Sequence, residues 1–161
     1  MKRTLRGAML AALLFLLAGC SFFGGNDVKY TNWEPDMSPD GSRLVYESPV
    51  NETLELFILH LETNETEQLT SDEAEDWSPV WSPDGSQIAF ASIFEKNADI
   101  YVLDLETRTK TRLTTDAGDD INPDWGIDNR IYFNSNRTGT WEIYSIDPAG
   151  ERLVKITETA E

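Results

Sequence analysis

Cysteine is nearly absent from this chain: Cys20 is the single one in 161 residues, so no disulfide framework can staple the fold. Histidine is equally scarce, with His60 alone, and no Gly-x-Ser-x-Gly elbow occurs. No complete nucleophile and base set is therefore present, which points away from catalysis. Adjacent carboxylates such as Asp119 and Asp120 do not replace one, because neighbours on a strand or loop point apart and seldom frame one substrate. Positive charge is also short, 13 Lys and Arg against 29 Asp and Glu, for a formal charge of −16. Such a surface repels nucleic acid and anionic headgroups and suits a basic partner, a cation or plain solubility. Beyond the N-terminus no segment carries apolar residues at three- and four-residue spacing over ten or more positions, so amphipathic helices are not expected. The expected fold is all-β.

What the chain has is repetition. Pro35, Pro79 and Pro123 lie 44 apart, as do Asp40, Asp84 and Asp128, and Met37, Trp81 and Trp125. Each copy offers four short runs rich in Ile, Val, Phe and Tyr that alternate apolar with polar residues, as half-buried strands do. The first copy contains Leu44-Val45-Tyr46, Leu56-Phe57-Ile58-Leu59 and Leu69-Thr70. The second gives Ile88-Ala89-Phe90, Ile100-Tyr101-Val102-Leu103 and Leu113-Thr114; the third gives Ile131-Tyr132-Phe133, Ile143-Tyr144-Ser145-Ile146 and Ile156-Thr157. Ser38-Pro39-Asp40-Gly41 and Ser82-Pro83-Asp84-Gly85 read as turns, with Pro at the position a type I turn wants and Gly in the left-handed position after it. Asp40 and Asp84 are accordingly turn formers rather than catalytic carboxylates. Four strands per repeat of this length is the signature of a β-propeller blade.

Trp81-Ser82-Pro83-Asp84-Gly85 with Ile100-Tyr101-Val102, Asp104 and Leu113-Thr114 resembles the blade of TolB-type propellers. Phe133-Asn134-Ser135-Asn136-Arg137-Thr138-Gly139 with Glu142-Ile143-Tyr144 and Asp147 is similar to the second half of that blade. The resemblance spans residues 32–157 and implies three four-stranded antiparallel blades, at about 32–75, 76–119 and 120–157 within a domain of residues 32–161. The same blade serves TolB, the gating propellers of prolyl-oligopeptidase-like enzymes and surface lipoproteins, so it implies a fold rather than an activity. It carries no counterpart of the N-terminal α/β domain of TolB-like proteins, so a TolB role in binding peptidoglycan-associated lipoprotein does not transfer with it. The expected function is a non-catalytic protein-binding or scaffold module. The alternative is an accessory that gates or recruits peptide for a hydrolase on another chain.

Residues 1–19 read as a signal peptide, with Lys2, Arg3 and Arg6 before an apolar stretch from Ala8 to Leu17. That stretch is shorter than the ~20 residues of a membrane span. Leu17-Ala18-Gly19-Cys20 resembles a bacterial lipobox, which implies lipidation of Cys20 and attachment to a membrane on the extracytoplasmic side. Ser21 after the cysteine favours the outer membrane where the organism has one. Residues 20–31 then form the lipidated Cys and a tether. Removing residues 1–19 takes three basic residues and no acidic ones, leaving 10 against 29 and a formal charge of −19. Asn51, Asn64 and Asn136 open Asn-x-Thr sequons, which behind a bacterial lipobox are incidental.

Acidic residues concentrate at two equivalent connections between blades: Asp72, Glu73, Glu75 and Asp76 in one, Asp116, Asp119 and Asp120 in the other. In a propeller these connections share one face, so their charges add into a docking surface for a cationic partner or into a weak Ca²⁺ site. Charge runs are more often merely solvated, and no Asp-x-Asp-x-Asp-Gly loop with a downstream Glu appears. No cofactor is expected. Trp81 with Trp125, and Trp77 with Trp33, read as packing between blades. Trp141 has no counterpart in the other copies and is the candidate exposed contact. Closed propellers carry about 4 to 8 blades, so three call for completion. Two chains pair into a six-bladed ring, a different chain completes it, or the repeats are the front of a longer propeller.

Overall fold

The computed structural model describes residues 33–158 apart from Glu95, so Cys20 and the tether lie outside the described residues. Twelve strands and no helix are found among them. Blade 1 comprises β1 (Trp33–Met37), β2 (Arg43–Val50), β3 (Thr53–His60) and β4 (Glu65–Gln68). Blade 2 comprises β5 (Glu75–Trp81), β6 (Gln87–Ile93), β7 (Ala98–Asp104) and β8 (Lys110–Arg112); blade 3 comprises β9 (Asp120–Trp125), β10 (Ile131–Ser135), β11 (Glu142–Ile146) and β12 (Val154–Lys155). Each blade is a four-stranded antiparallel meander in chain order.

The Ser-Pro-Asp-Gly turns form as their chemistry requires. Gly41 N–H donates to Ser38 O at 2.8 Å and Gly85 N–H to Ser82 O at 2.9 Å, with the glycines at φ 70° and 72°. Asp40 accepts the Ser38 hydroxyl at 2.6 Å and the Ser42 N–H at 3.0 Å. Those hydrogen bonds, the Ser38 one foremost, hold its carboxyl at about 2. The third copy lacks Ser-Pro, and Asn129 takes the left-handed position at φ 60° while donating to Gly126 O at 2.9 Å.

The Thr that ends each repeat closes its blade. Thr114 Oγ1 accepts the Ile100 N–H at 2.9 Å and donates to the buried Asp99 carboxylate at 3.3 Å. Thr70 does the same between Leu56 (3.0 Å) and Glu55 (2.8 Å), and Thr157 between Ile143 (2.9 Å) and Glu142 (2.6 Å). One hydroxyl thus satisfies a backbone donor and a buried carboxylate together.

Blades meet face to face. Val45, Leu56 and Ile58 of blade 1 pack against Trp81, Ile88, Phe90 and Leu103 of blade 2. Ala89, Ile100, Val102 and Leu113, on the other face of blade 2, pack against Trp125, Ile131, Phe133, Tyr144 and Ile146 of blade 3. Each blade has a leading face toward the blade before it and a trailing face toward the blade after. Trp81 and Trp125 are 4% and 8% exposed at these seams, whereas Met37, at the same repeat position of blade 1, is 47% exposed. Trp77 departs from expectation: it is half-buried and belongs to neither inter-blade core.

Candidate interaction face

The acidic connections put their charges to two different uses. Asp76 is fully buried, and its carboxylate takes Lys110 Nζ at 3.0 and 3.1 Å. Lys110 lies 5.3 Å from the Phe90 ring and 5.0 Å from the Tyr101 ring, themselves stacked. Blade 3 repeats the device with a different cation. Asp120, also fully buried, takes Arg137 at 3.0 and 2.8 Å, and the guanidinium caps Phe133 and Tyr144 at 5.7 and 4.7 Å. Burial pushes the Asp76 carboxyl up, with the Lys110 charge opposing it. Asp76 and Asp120 therefore do not belong to a docking surface. They are internal anchors whose charge is met inside the blade, because a buried carboxylate without a partner would be strongly destabilising.

The other candidates do reach the surface. Asp72, Glu73 and Asp116 are exposed, and Glu75 and Asp119 are half-buried. Burial raises the Glu75 carboxyl. Asp72 also reaches Lys110 at 3.0 Å while accepting the Ala74 N–H at 2.9 Å, and Asp116 accepts the Gly118 N–H at 3.0 Å.

The connection from β8 to β9 is held from both sides. Asn97, before β7, donates to the carbonyls of Asp116 at 3.0 Å and Gly118 at 2.9 Å. Asp119 accepts the Ala98 N–H at 3.2 Å, and its own N–H donates to Asn136 Oδ1 at 2.8 Å. Gly118 is required there, since a Cβ would meet Asn136 Oδ1 at 2.6 Å and Arg137 N at 2.7 Å. Beside this clamped segment lies an open depression of about 510 Å³ lined by Asp116, Ala117, Gly118, Asn136, Arg137, Gly139 and Trp141. Trp141 is 50% exposed, and Phe94 on the β6–β7 loop is 55% exposed. Two candidates from separate parts of the sequence, Asp116 and Trp141, thus line one depression. An indole and a carboxylate on a rigid edge suit a ligand with an apolar body and a cationic group.

A second constellation has no sequence precedent. Glu34, Ser78 and Asn122, each just before a repeated proline, have φ of 45°, 52° and 53°. The strand register slips there, as in a β-bulge. The Ser78 hydroxyl donates to Glu34 and lies 3.5 Å from Asn122 Oδ1, so the first strands of all three blades touch through it. The Ser78 N–H donates to Glu47 Oε2 at 2.6 Å. Glu47 is 5% exposed, and burial pushes its carboxyl up to about 7, with the nearby Glu34 charge adding to the rise and the Ser78 N–H opposing it. The 44-residue spacing of Glu34, Ser78 and Asn122 was the available signal, hidden because their side chains differ. His60 lies at the end of β3, half-buried, with its imidazole 3.7 Å from Glu67. Among the described residues no group of three or more His, Cys, Asp or Glu side chains is arranged to hold a metal ion.

Three meandering four-stranded sheets packed leading face to trailing face define a β-propeller segment. The sequence matches the TolB beta propeller domain family over residues 27–161, and the chain belongs to that family. No curated protein matches it by sequence. Its fold is similar to that of a putative TolB from Agrobacterium tumefaciens, with TM-score 0.74 and 29% identity over 84% of this chain and 49% of that one. It is also similar to TolB from Acinetobacter baumannii, with TM-score 0.71 and 28% identity over 79% of this chain and 32% of that one. A puromycin-hydrolyzing peptidase of Mycobacterium tuberculosis shares the fold alone, at TM-score 0.64 and 18% identity over 80% of this chain and 23% of that one. The chain spans half or less of the length of each of these proteins.

Proposed function

We propose that this chain is an extracytoplasmic, lipid-anchored binding module that performs no catalysis of its own and engages a protein partner through the face carrying Asp116 and Trp141. The observation that carries this reading is their convergence on one depression, beside a connection clamped by Asn97 and Asn136. A pre-ordered edge loses little entropy on binding, and a half-exposed Trp beside a carboxylate is an effective anchor for a basic, partly apolar segment. The formal charge of −19 left once residues 1–19 are removed, 10 basic against 29 acidic residues, steers such a partner from a distance. Anchoring rests on Cys20 and the residues before it.

Two sets of variants test the two halves of the proposal. Cys20→Ala is expected to move the protein from the membrane fraction to the soluble one, and retention in the membrane would remove the lipid anchor from the reading. Trp141→Ala and Asp116→Asn are expected to leave the melting temperature within a few degrees of wild type. Both are expected to weaken retention of the partner isolated with the wild-type chain, Trp141→Ala by tenfold or more, about 1.4 kcal/mol. Undiminished retention by both would place the contact elsewhere.

A further inference from the structure

The first strand of every blade starts at the same end of the blades, and that end is the one that carries Asp116 and Trp141. Asp120, at the start of β9, pairs with Ser135, the last residue of β10 before the loop that holds Trp141. Glu75, at the start of β5, pairs likewise with Ile93, the residue before Phe94. Trp33, at the start of β1, pairs with Glu47, on the side of β2 that leads into the turn at Asn51 and Glu52. The three first strands run side by side and in step, since Ser78 meets Glu34 and Asn122 at one repeat position. The chain therefore enters blade 1 at the end that holds the depression.

Trp33 lies 13 residues after Cys20. A stretch of that length reaches at most about 45 Å in any conformation, so a lipid on Cys20 keeps this end close to the bilayer surface. The opposite end, where Ile127 is 96% exposed in the β9–β10 turn, stands about 20 Å further along the strands. The loops of the near end expose Glu52, Asp72, Glu73 and Asp116. Anionic headgroups repel such charge, which leaves the space between the face and the bilayer to a basic segment. A partner held in the same membrane meets this face at high effective concentration, whereas a soluble one must enter the gap.

We infer that the face carrying Asp116 and Trp141 is turned toward the membrane that holds the chain, and that its partner is a protein embedded in that membrane, met through a basic, partly apolar segment at the bilayer surface. This rests on the reading of Cys20 as the anchor and of Asp116 and Trp141 as the contact. It adds the side from which the partner comes.

The test is energy transfer to acceptor-labelled lipid from a dye on Ala117→Cys, in the depression, or on Ile127→Cys, at the opposite end. The full lipidated chain is used, in phosphatidylcholine vesicles, with Cys20 blocked by its own lipid. Transfer from position 117 is expected to exceed that from position 127 about twofold, as ends about 20 Å apart imply. Inserting about 20 Gly and Ser residues between Gly25 and Asn26 is expected to remove the difference. Equal transfer from the two positions in vesicle-bound protein overturns the orientation and leaves the contact through Asp116 and Trp141 standing. A difference that survives the insert means that the face holds lipid by itself, which also overturns the inference. Chain that does not bind the vesicles removes the anchor and this inference with it. The protein cross-linked to position 117 in the native envelope is expected to stay in the membrane on alkaline extraction of cells lacking the chain. A partner released by that wash would overturn the second half of the inference.

Discussion

Glu47 stands where the other blades carry Ala91 and Asn134, and its carboxyl is buried in the seam between blades 1 and 2 with the Ser78 N–H donating to it. Its folded pKa of about 7 lies above the ordinary 4.5, so the folded state binds the proton more tightly than the unfolded chain does. The contribution to stability is complete below about 4.5 and is lost as pH rises through about 7. Glu47→Gln keeps an acceptor for Ser78 and removes the titration. The expected outcome in denaturant unfolding is a variant that gains on the wild type by on the order of 2–3 kcal/mol between pH 5 and pH 8. Parallel stability curves for the two proteins would show that Glu47 does not titrate in this window. Other buried carboxyls, Glu55 and Asp99 among them, are also raised, so only the difference between the two proteins isolates Glu47. At this scale the sequence was a partial guide. Asp76 and Asp120 look like surface charge because their cations lie 34 and 17 residues away, and pairing over such separations leaves no local mark. Trp141 stood out in the sequence because it has no counterpart in the other copies, and Asp116 because its connection repeats the acidic one that carries Asp72.

The strands were legible from alternation, and their turns from Ser-Pro-Asp-Gly, since both depend on neighbours in sequence. Asp40 and Asp84 act as the turn formers expected. The clasp made by Thr70, Thr114 and Thr157 was visible as a repeated Leu-Thr or Ile-Thr but not in its purpose, which needs a carboxylate 15 residues earlier. The bulges of β1, β5 and β9 were not legible. Left-handed backbone is ordinarily signalled by Gly, and Glu34, Ser78 and Asn122 reach it without one. Their backbone is held in place by the register slip and by the repeated proline that follows, which has no N–H to pair. The cost is offset by contact among the first strands of three blades through Ser78. Trp77 marks the limit of reading packing from equivalence alone: its position is Trp in two of the three copies, yet it enters neither core.

For the molecule as a whole, three concordant repeats made the propeller readable, because a blade buries its faces only against other blades and so imposes the same residues each time. The same logic left function open, since a repeat imposed by packing says nothing of what binds it. The face carrying Asp116, Trp141 and Phe94 lies at one end of the blades. Ile127, 96% exposed, sits in the β9–β10 turn at the opposite end of β10 from the β10–β11 loop that carries Trp141. That separation gives the most direct measurement: a photo-activated cross-linking residue placed at position 117, which lines the same depression and leaves Trp141 in place, or at position 127 of the full chain in its own envelope. The account predicts one discrete adduct from position 117, lost when Trp141 is changed to Ala, and none from position 127. Adducts of equal yield from both positions, or none from position 117, would contradict it.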